Sequence, residues 1–428
     1  MGKIRMNQNQ VIRANRARMK KEFDAQSRIG RHGKTGLSRV ALTSDYNRVR
    51  KLVRRWMESA GLKTRVDAVG NLIGRKEGRV KGFPAVMAGS HLDSQNPGGR
   101  FDGPAGVLSA LEAVRRIGET GAAHDHPLEV VAFVGEESTC GLVTFGSSVM
   151  AGQVGAAAMK AAVHSPTGKS VYEAVRLAGG NPSRVKSCRL PRDSLKAFIE
   201  LHIEQGPVLE AAGVPVGVVD TIVGALRGDI HFEGQTAHSG GQPMPYRRDA
   251  AMAAADFMLE MEGAARRAPE SQRMTLTFGV ISARPGWVSI VPGGASISFD
   301  LRSKSDKASA AMLGRMRKAL GRIQKKRGVR GRLKLSVKYA ACPASRGIRR
   351  AIERAAGETG HPSMTLSSGG IHDACRIAAL CPIGMVFVPS VKGLSHTPEE
   401  YTRFHDIAVG AEVLTSAMLR LAGRRVKA

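Results

Sequence analysis

Short apolar runs alternate along the chain with amphipathic segments. Four of the apolar runs lie at residues 84–88, 128–135, 196–206 and 385–388. Their length and composition are those of buried strands. Apolar residues recur at helical spacing within residues 44–60, 104–117 and 403–421. Buried strands that alternate with such helices predict an α/β fold.

The pattern changes after Pro215, where strands and helices follow one another in a new order. The predicted strands lie at residues 216–232, 274–281, 295–301 and 333–339, and the predicted helices at 248–267 and 306–327. The order strand–helix–strand–strand–helix–strand is that of a small ferredoxin-like α+β domain. We therefore predict that residues 215–340 are inserted into a larger domain formed by residues 1–214 and 341–428.

The composition fits two domains in a reducing environment. With 428 residues and 42% hydrophobic content, the chain is long enough for two cores. Its five cysteines are scattered and contain no Cys-x-x-Cys pair, which predicts free thiols. The N-terminus lacks an apolar signal-like segment, and no run of about 18 apolar residues occurs. We expect a cytoplasmic protein without a membrane partner.

The net charge of +29 is concentrated in two segments. Residues 1–55 contain 16 Lys and Arg against 3 Asp and Glu, and residues 300–350 contain 17 against 2. Such segments attract nucleic acids and acidic surfaces, but only 5 tyrosines and 2 tryptophans are available to stack on bases. We therefore favour solvated helical faces over a nucleic-acid partner.

Candidate chemistry begins in the stretch from Gly89 to Gly103, directly after an apolar run. Open α/β sheets place their sites at the carboxyl ends of strands, which is where this run delivers His91. Asp93 is close enough in sequence to orient that imidazole, and Asp102 precedes a helix. These side chains are metal ligands in many proteins, although a single His-x-Asp is also common in ordinary loops.

Further acid and imidazole groups follow other predicted strands. Glu136 and Glu137 are adjacent carboxylates, so one can bind a metal while the other serves as a general base. An ordinary surface pair is the alternative. His202 lies inside an apolar strand, where a hydrogen-bonded core histidine is the alternative, and His396 follows the last strand. The convergence of these groups on strand ends favours a site.

A set of motifs in one order resembles the hydantoinase/carbamoylase family of amidohydrolases. The motifs are Gly89–Gly103, Glu136-Glu137, Glu200–Gly206, Ala237-His238-Ser239-Gly240, Pro243-Met244, Arg248-Asp249-Ala250, Phe299-Asp300-Leu301-Arg302, His372-Asp373-Ala374 and Ser395-His396. The resemblance extends from about residue 15 to residue 422 without large gaps. This family of binuclear-metal enzymes is related to M20 peptidases and includes N-carbamoyl-L-amino-acid hydrolase, allantoate amidohydrolase and β-ureidopropionase.

For this chain, the resemblance implies a mixed-sheet α/β/α catalytic domain with two divalent metal ions per subunit. The ions would be zinc, or else manganese, cobalt or nickel. Asp102 would bridge them, with His91 and His202 at one ion and Glu137 and His396 at the other. Imidazole and carboxylate ligands suit such ions, which make water a usable nucleophile at neutral pH.

The resemblance also implies two catalytic residues. Glu136 would take the proton of the attacking water and pass it to the leaving nitrogen. His238, on the inserted domain, would stabilise the oxyanion. That domain would act as a lid and would also form the contact surface of a homodimer. His238 would then act in the site of its own subunit or in that of the partner subunit.

The substrate contacts that the resemblance implies come from four residues: Gln205, Ser289, Arg302 and His372. Arg302 would clamp a carboxylate bidentately, and Gln205 would contact a ureido or amide group. The chain departs from the family pattern at Cys140-Gly141, Gly241-Gln242 and Ser289, where relatives commonly have Arg-Phe, Thr-Thr and Asn. Serine lacks the amide donors of asparagine, which weakens the case for a standard carboxylate pocket.

We therefore predict a metal-dependent amidohydrolase that cleaves a linear amide or ureido C–N bond. Hydrolysis of an N-carbamoyl-L-amino acid to the amino acid, carbon dioxide and ammonia is preferred over hydrolysis of allantoate or β-ureidopropionate. The alternative from another class is a basic nucleic-acid-associated protein.

Overall fold

The chain forms two compact units in a computed structural model that describes residues 11–423. The first unit comprises residues 11–220, Ala344–Leu366 and 372–423, and the second comprises Thr221–Pro343 and Ser367–Ile371. The inserted domain was predicted at residues 215–340, whereas the second unit begins at Thr221 and also includes the short segment Ser367–Ile371. Residues 1–10 and 424–428 of the predicted larger domain lie outside the described residues.

Most of the elements up to Ile222 lie in the first unit. The helices in this part of the chain are α1 (Arg16–Ser27), α2 (Ser44–Ser59), α3 (Pro104–Glu119), α4 (Phe145–Met150), α5 (Ala156–Ala161), α6 (Val171–Leu177) and α7 (Val208–Ala212). The strands are β1 (Arg31–His32), β2 (Gly36–Leu37), β3 (Lys63–Val66), β4 (Leu72–Lys76), β5 (Ala85–His91), β6 (Leu128–Phe133), β7 (Val163–His164), β8 (Lys169–Ser170), β9 (Leu195–Ile203) and β10 (Val216–Ile222).

The elements that follow up to Pro343 belong to the second unit. They are strands β11 (Gly224–Glu233), β12 (Ala237–His238), β13 (Thr275–Thr277), β14 (Ile281–Arg284), β15 (Ile290–Val291), β16 (Gly294–Ser303), β17 (Arg330–Tyr339) and β18 (Cys342–Pro343), with helices α8 (Ala250–Arg266) and α9 (Asp306–Arg327). The last elements of the chain are α10 (Arg346–Thr359), β19 (Ser363–Ser368), α11 (Ala374–Ile377), β20 (Ile383–Val388) and α12 (Phe404–Ala422).

The first unit is built around a mixed sheet with the strand order β10-β20-β9-β5-β6-β4-β3. The central strands β20, β9, β5 and β6 are parallel, whereas the strands at both edges pair antiparallel. The central strands are buried along almost their whole length, which explains their unbroken apolar runs. The predicted mixed α/β fold is confirmed.

Helix α3 packs closely against this sheet and against α12. A Cβ atom at Gly106 would collide with the carbonyl oxygen of Leu201 in β9, so only glycine permits this approach. Pro104 occupies the first turn of the helix, where its missing N–H is not needed. The close packing fixes the start of α3, and with it Asp102, beside the ends of the central strands.

The second unit contains an antiparallel sheet with the strand order β13-β16-β11-β17, and β14 also pairs with β16. Helices α8 and α9 pack on one face of this sheet through a separate apolar core. Side chains along β16 and β17 alternate between that core and the opposite, polar face. The elements follow the predicted order, with β12 and β15 as an additional two-stranded ladder.

Two predicted strands differ from the structure. The apolar run at residues 216–232 divides at Val223, so that β10 belongs to the first sheet and β11 to the second. Both strands are largely buried, and periodicity therefore gives no sign of the change of sheet. The run at residues 274–281 was predicted as one strand, but it contains only β13 and the first residue of β14, and both of these short strands pair with β16.

Two further observations concern the environment of the chain. Within residues 11–423, no helix combines the length and the apolar character that crossing a bilayer requires. Cys140, Cys188 and Cys381 are buried free thiols. Burial raises the pKa of the Cys140 thiol to about 12, which makes this group unreactive.

We predict that Gly106→Ala destabilises the protein by about 1–3 kcal/mol, because the added methyl group forces α3 away from β9. Gly314→Ala is the matched control. Gly314 lies inside α9 with open space where an added methyl group would lie, so the same change should stabilise that helix by about 0.5–1 kcal/mol. Denaturant unfolding measures both effects, and equal responses would contradict the close packing at Gly106.

Candidate metal centre

The buried carboxylate of Asp102 lies at the centre of a cluster of imidazoles in the first unit. Its Oδ1 atom is 3.0 Å from Nε2 of His202 and 3.4 Å from Nε2 of His91. Its Oδ2 atom is 3.2 Å from Nε2 of His396. One carboxylate is therefore shared by three imidazole nitrogen atoms, two at Oδ1 and one at Oδ2.

The local backbone explains how these groups meet. His91 is the last residue of β5, and His202 is near the end of β9, the parallel neighbour of β5. Gly103, between Asp102 and α3, has a φ of 83°, and a Cβ atom there would collide with the ring of His91. Only glycine therefore allows the chain to pass against this ring and begin the helix.

Backbone carbonyls orient two of the imidazoles. Nδ1 of His91 is 3.0 Å from the carbonyl oxygen of Asp93, and Nδ1 of His202 is 2.9 Å from that of Ile203. These acceptors favour the tautomer with the proton on Nδ1. Nε2 of both rings then faces Asp102, where it donates to the carboxylate when the ring is protonated and can bind a cation when the ring is neutral.

Asp93 contacts His91 through its backbone carbonyl more closely than through its carboxylate, which was the group expected to orient the ring. The carboxylate is 3.8 Å from Nδ1 of His91. It accepts hydrogen bonds from the backbone N–H groups of Gly135, Glu136 and Glu137. Asp93 thus fixes the loop that carries the two glutamates.

Glu137 contributes a buried oxygen beside the imidazole of His396. Its Oε1 atom is 3.7 Å from Nε2 of His396 and has no hydrogen-bond partner within the described residues. Its Oε2 atom accepts a hydrogen bond of 2.5 Å from Gln95. A buried carboxylate oxygen without a partner is costly, and a cation next to Asp102 and His396 would satisfy it.

Glu136 is buried next to the same cluster but has a different environment. Its Oε2 atom is 3.9 Å from Nε2 of His91, and its carboxyl group forms no hydrogen bond in the part of the chain that the structure describes. Burial raises the pKa of Glu136 well above its usual range, and the charge of Glu137 adds to this shift. The two adjacent glutamates are therefore distinguished by their contacts.

The charges of the cluster support one another. Burial opposes the ionisation of Asp102, but the charge of His202 and the hydrogen bonds from the imidazoles hold the pKa of this carboxyl well below its usual range. The hydrogen bond to Asp102 raises the pKa of His396 to about 9. Burial raises the pKa of Glu137 to about 7. The negative charge of Asp102 thus favours the protonated form of the imidazoles around it.

The donor set fits divalent metal ions. Two groups have ligand atoms within 4.8 Å of one another: His91, Asp102 and His202, and Asp102, Glu137 and His396. A third such group combines Glu200 and His372 with His202. Both oxygens of Glu200 already accept hydrogen bonds, from Ser90 and Ala374, so the two groups that share Asp102 fit better. Nitrogen and oxygen donors of this kind suit zinc, manganese, cobalt or nickel.

Two of the predicted substrate residues lie in this cluster. Nε2 of Gln205 is 2.6 Å from Oδ2 of Asp102 and 3.2 Å from Nε2 of His396. The ring of His372 contacts the ring of His202 edge-on, with 4.5 Å between centroids. Burial, followed by the charge of His202, lowers the pKa of His372 well below its usual range. His372 is therefore a neutral side chain beside the charged cluster.

The structure adds Glu400, which sequence reasoning missed. Its Oε1 atom accepts hydrogen bonds from the backbone N–H groups of Phe101, at 2.9 Å, and Asp102, at 3.0 Å. Its Oε2 atom accepts one from Ser395, whose hydroxyl also lies 3.1 Å from Oδ2 of Asp102. Glu400 thus connects the loop before α3 with the loop that carries His396. In the sequence, only its nearness to His396 could have indicated this role.

The other predicted site residues lie in the second unit. His238 is exposed, and its Nδ1 atom accepts hydrogen bonds from the backbone N–H groups of Gly240 and Gly241. This places the ring proton on Nε2, which can donate to a ligand. The carbonyl oxygen of Ser289 accepts a hydrogen bond from the backbone N–H of Ser239, next to the β12–β15 ladder in which His238 pairs with Ile290.

Arg302 is held by several contacts within the second unit. Its guanidinium donates two hydrogen bonds to Asp300, at 3.0 and 2.9 Å, and one to the carbonyl oxygen of Gly369. Arg227 also pairs with Asp300. A guanidinium has five N–H groups, so two of those of Arg302 remain for a ligand.

The sequence and the structure are similar to those of known proteins. Residues 85–420 match peptidase family M20/M25/M40. The chain is 38% identical to the N-carbamoyl-L-amino acid amidohydrolase of Geobacillus stearothermophilus, over 92% of this chain and 95% of that protein. It is 31% identical to the allantoate amidohydrolase of Bacillus subtilis strain 168, over 90% and 93%. A hydantoinase/carbamoylase family amidase from Burkholderia multivorans has a TM-score of 0.90 at 34% identity, over 97% of this chain and 100% of that one.

The fold and the match over most of its length show that this chain belongs to peptidase family M20/M25/M40. Within that family, its relatives are the hydantoinase/carbamoylase amidohydrolases, as the motifs predicted. The prediction of a hydrolase that acts on carbon–nitrogen bonds other than peptide bonds is also confirmed.

We predict that Glu400→Ala weakens metal binding by about 10–100-fold, because Asp102 and Ser395 lose the group that positions them. Glu400→Gln keeps one acceptor oxygen and should lose less. Glu399→Ala, at the exposed neighbouring position, is the matched control. Competition with a chelator measures the metal dissociation constants, and equal losses in Glu399→Ala and Glu400→Ala would contradict the positioning role.

Proposed function

We propose that this protein is a metal-dependent N-carbamoyl-L-amino-acid hydrolase that releases the amino acid, carbon dioxide and ammonia. The observation that carries the proposal is the buried carboxylate of Asp102, shared by two groups of donors. The carboxyl group of Glu136 lies beside this cluster, 3.9 Å from Nε2 of His91, and forms no hydrogen bond within the described residues. Allantoate and β-ureidopropionate are the alternative substrates, since they present the same linear ureido or amide bond.

Five side chains would hold two divalent ions, zinc or else manganese, cobalt or nickel. His91 and His202 would bind one ion, Glu137 and His396 the other, and Asp102 both. Such ions lower the pKa of water and polarise a carbonyl group. The carbonyl contacts at Nδ1 of His91 and His202 support this assignment, because they direct Nε2 of each ring towards Asp102.

Glu136 is the general base in this proposal. It takes a proton from the attacking water and then delivers that proton to the leaving nitrogen, so that no proton is lost in the cycle. Its lack of hydrogen bonds within the described residues leaves both carboxyl oxygens available for proton transfer. Asp93 positions this carboxyl through the backbone.

His238 is proposed to stabilise the oxyanion by donating from Nε2. The inserted unit, with its ferredoxin-like strand order, is proposed as a lid and as the contact surface of a homodimer. Large exposed apolar side chains in that unit support a dimer: Met252, Leu259, Val280, Ile281, Trp287 and Val288. Light scattering would contradict this assembly if the protein were monomeric at assay concentrations.

The substrate carboxylate is assigned to Arg302, with Gln205, Ser289 and His372 as further substrate contacts. Arg302 has two N–H groups left after its bonds to Asp300 and Gly369, enough for one bidentate pair. The buried free thiols Cys140, Cys188 and Cys381 support a reducing location, and we propose the cytoplasm.

A panel of substrates tests the proposed function. Metal-loaded protein should hydrolyse N-carbamoyl-L-amino acids faster than allantoate or β-ureidopropionate, and Glu136→Gln should abolish turnover while it retains both metals. Ammonia release and elemental analysis provide the measurements. Activity of Glu136→Gln near that of the wild type would refute the role of the base, and no turnover of any panel member would refute the proposed function.

Arg302→Lys should reduce kcat/KM for a carboxylated substrate by about 2–3 kcal/mol, because lysine cannot form the bidentate pair. Arg227→Lys is the matched control, since Arg227 also contacts Asp300 but is assigned no substrate contact. An amidated analogue should be a poor substrate for the wild type and should be little affected by Arg302→Lys. Equal losses for the acid and the amide would show that Arg302 is structural.

A further inference from the structure

A groove between α8 and α9 brings positive charge together in the second unit. It has a volume of about 220 Å³. Its lining residues are Glu260, Met261, Ala264, Arg267, Arg315, Lys318 and Arg322. None of His238, Ser289 and Arg302 is among them, so the groove is distinct from the residues assigned to the substrate.

Most of the positive charge in the groove is not compensated. Arg322 pairs with Glu260, the one acidic residue in the lining. Arg267, Arg315 and Lys318 form no ion pair within the described residues. Three exposed cations around one concave surface give it a positive potential that attracts an anion.

Three of the groove cations lie on the same face of α9. Arg315, Lys318 and Arg322 are three and four residues apart and therefore lie on one face of the helix. Met261 and Ala264 of α8 are nearly buried, at 2% and 7% exposure. The cations thus line a concave surface that includes an apolar part.

We propose that this groove binds a compact phosphoryl anion, either inorganic pyrophosphate or the diphosphate group of a nucleotide. Guanidinium groups match phosphate oxygens bidentately, and a diphosphate carries enough charge to compensate three cations. A single carboxylate would leave two of them unpaired. The groove is smaller than the roughly 300–1,000 Å³ of most ligand pockets, which favours a diphosphate group over an extended ligand.

Calorimetric titration of the metal-loaded protein with pyrophosphate and with ADP tests this site. The double variant Arg315→Gln/Lys318→Gln removes two groove cations. The control Arg332→Gln/Lys334→Gln removes two cations from β17, outside the groove, with the same change in net charge. We expect at least about a tenfold loss of affinity in the groove variant and little change in the control.

The outcomes of this titration decide the proposal. If the groove variant shows the expected loss, the relative affinities of the two probes identify the ligand. Tighter binding of ADP than of pyrophosphate would indicate that the groove binds a nucleotide. Equal binding would indicate that it recognises the phosphoryl groups alone. Binding that persists unchanged in both variants would lie outside the groove and would overturn the proposal. Equal loss in the two variants, no saturable binding, or binding of a DNA oligonucleotide but not of pyrophosphate would also overturn it.

Discussion

The buried negative charge of Asp102 is the constraint on which the candidate centre depends. A carboxylate in this position is stable only when several donors surround it, because burial removes it from water. His202 and His91 approach one oxygen, and His396 approaches the other. The same carboxylate thereby joins two parallel strands to a loop near the end of the chain.

Close backbone approaches and hydrogen bonds hold this arrangement in place. Gly106 allows α3 to approach β9, and Gly103 allows the chain to pass against the ring of His91. Glu400 accepts a hydrogen bond from the backbone N–H group of Asp102. Asp93 accepts hydrogen bonds from the backbone N–H groups of Glu136 and Glu137. His396 itself has a φ of 58°, a strained value that persists only where surrounding contacts hold it.

The contrast between Glu136 and Glu137 shows how contacts give adjacent, identical residues different properties. Gln95 binds one oxygen of Glu137, and the other lies beside His396. Glu136 has no hydrogen bond from its carboxyl group to any described residue, and its pKa is strongly raised. One glutamate is thus suited to a cation and the other to a proton.

The sequence by itself determined the main helices, the central strands of the first sheet and the types of side chain at the strand ends, but not the division of the run at residues 216–232 between two sheets. Helix α9 has the predicted bounds, because its apolar residues recur at helical spacing and are the residues that the helix buries. Only the tertiary structure decided which oxygen of Asp102 faces which imidazole, that Asp93 binds the glutamate loop, and that Glu400 reaches across 298 residues to Asp102. Periodicity records the burial of each element separately, whereas contacts between distant elements depend on how those elements pack.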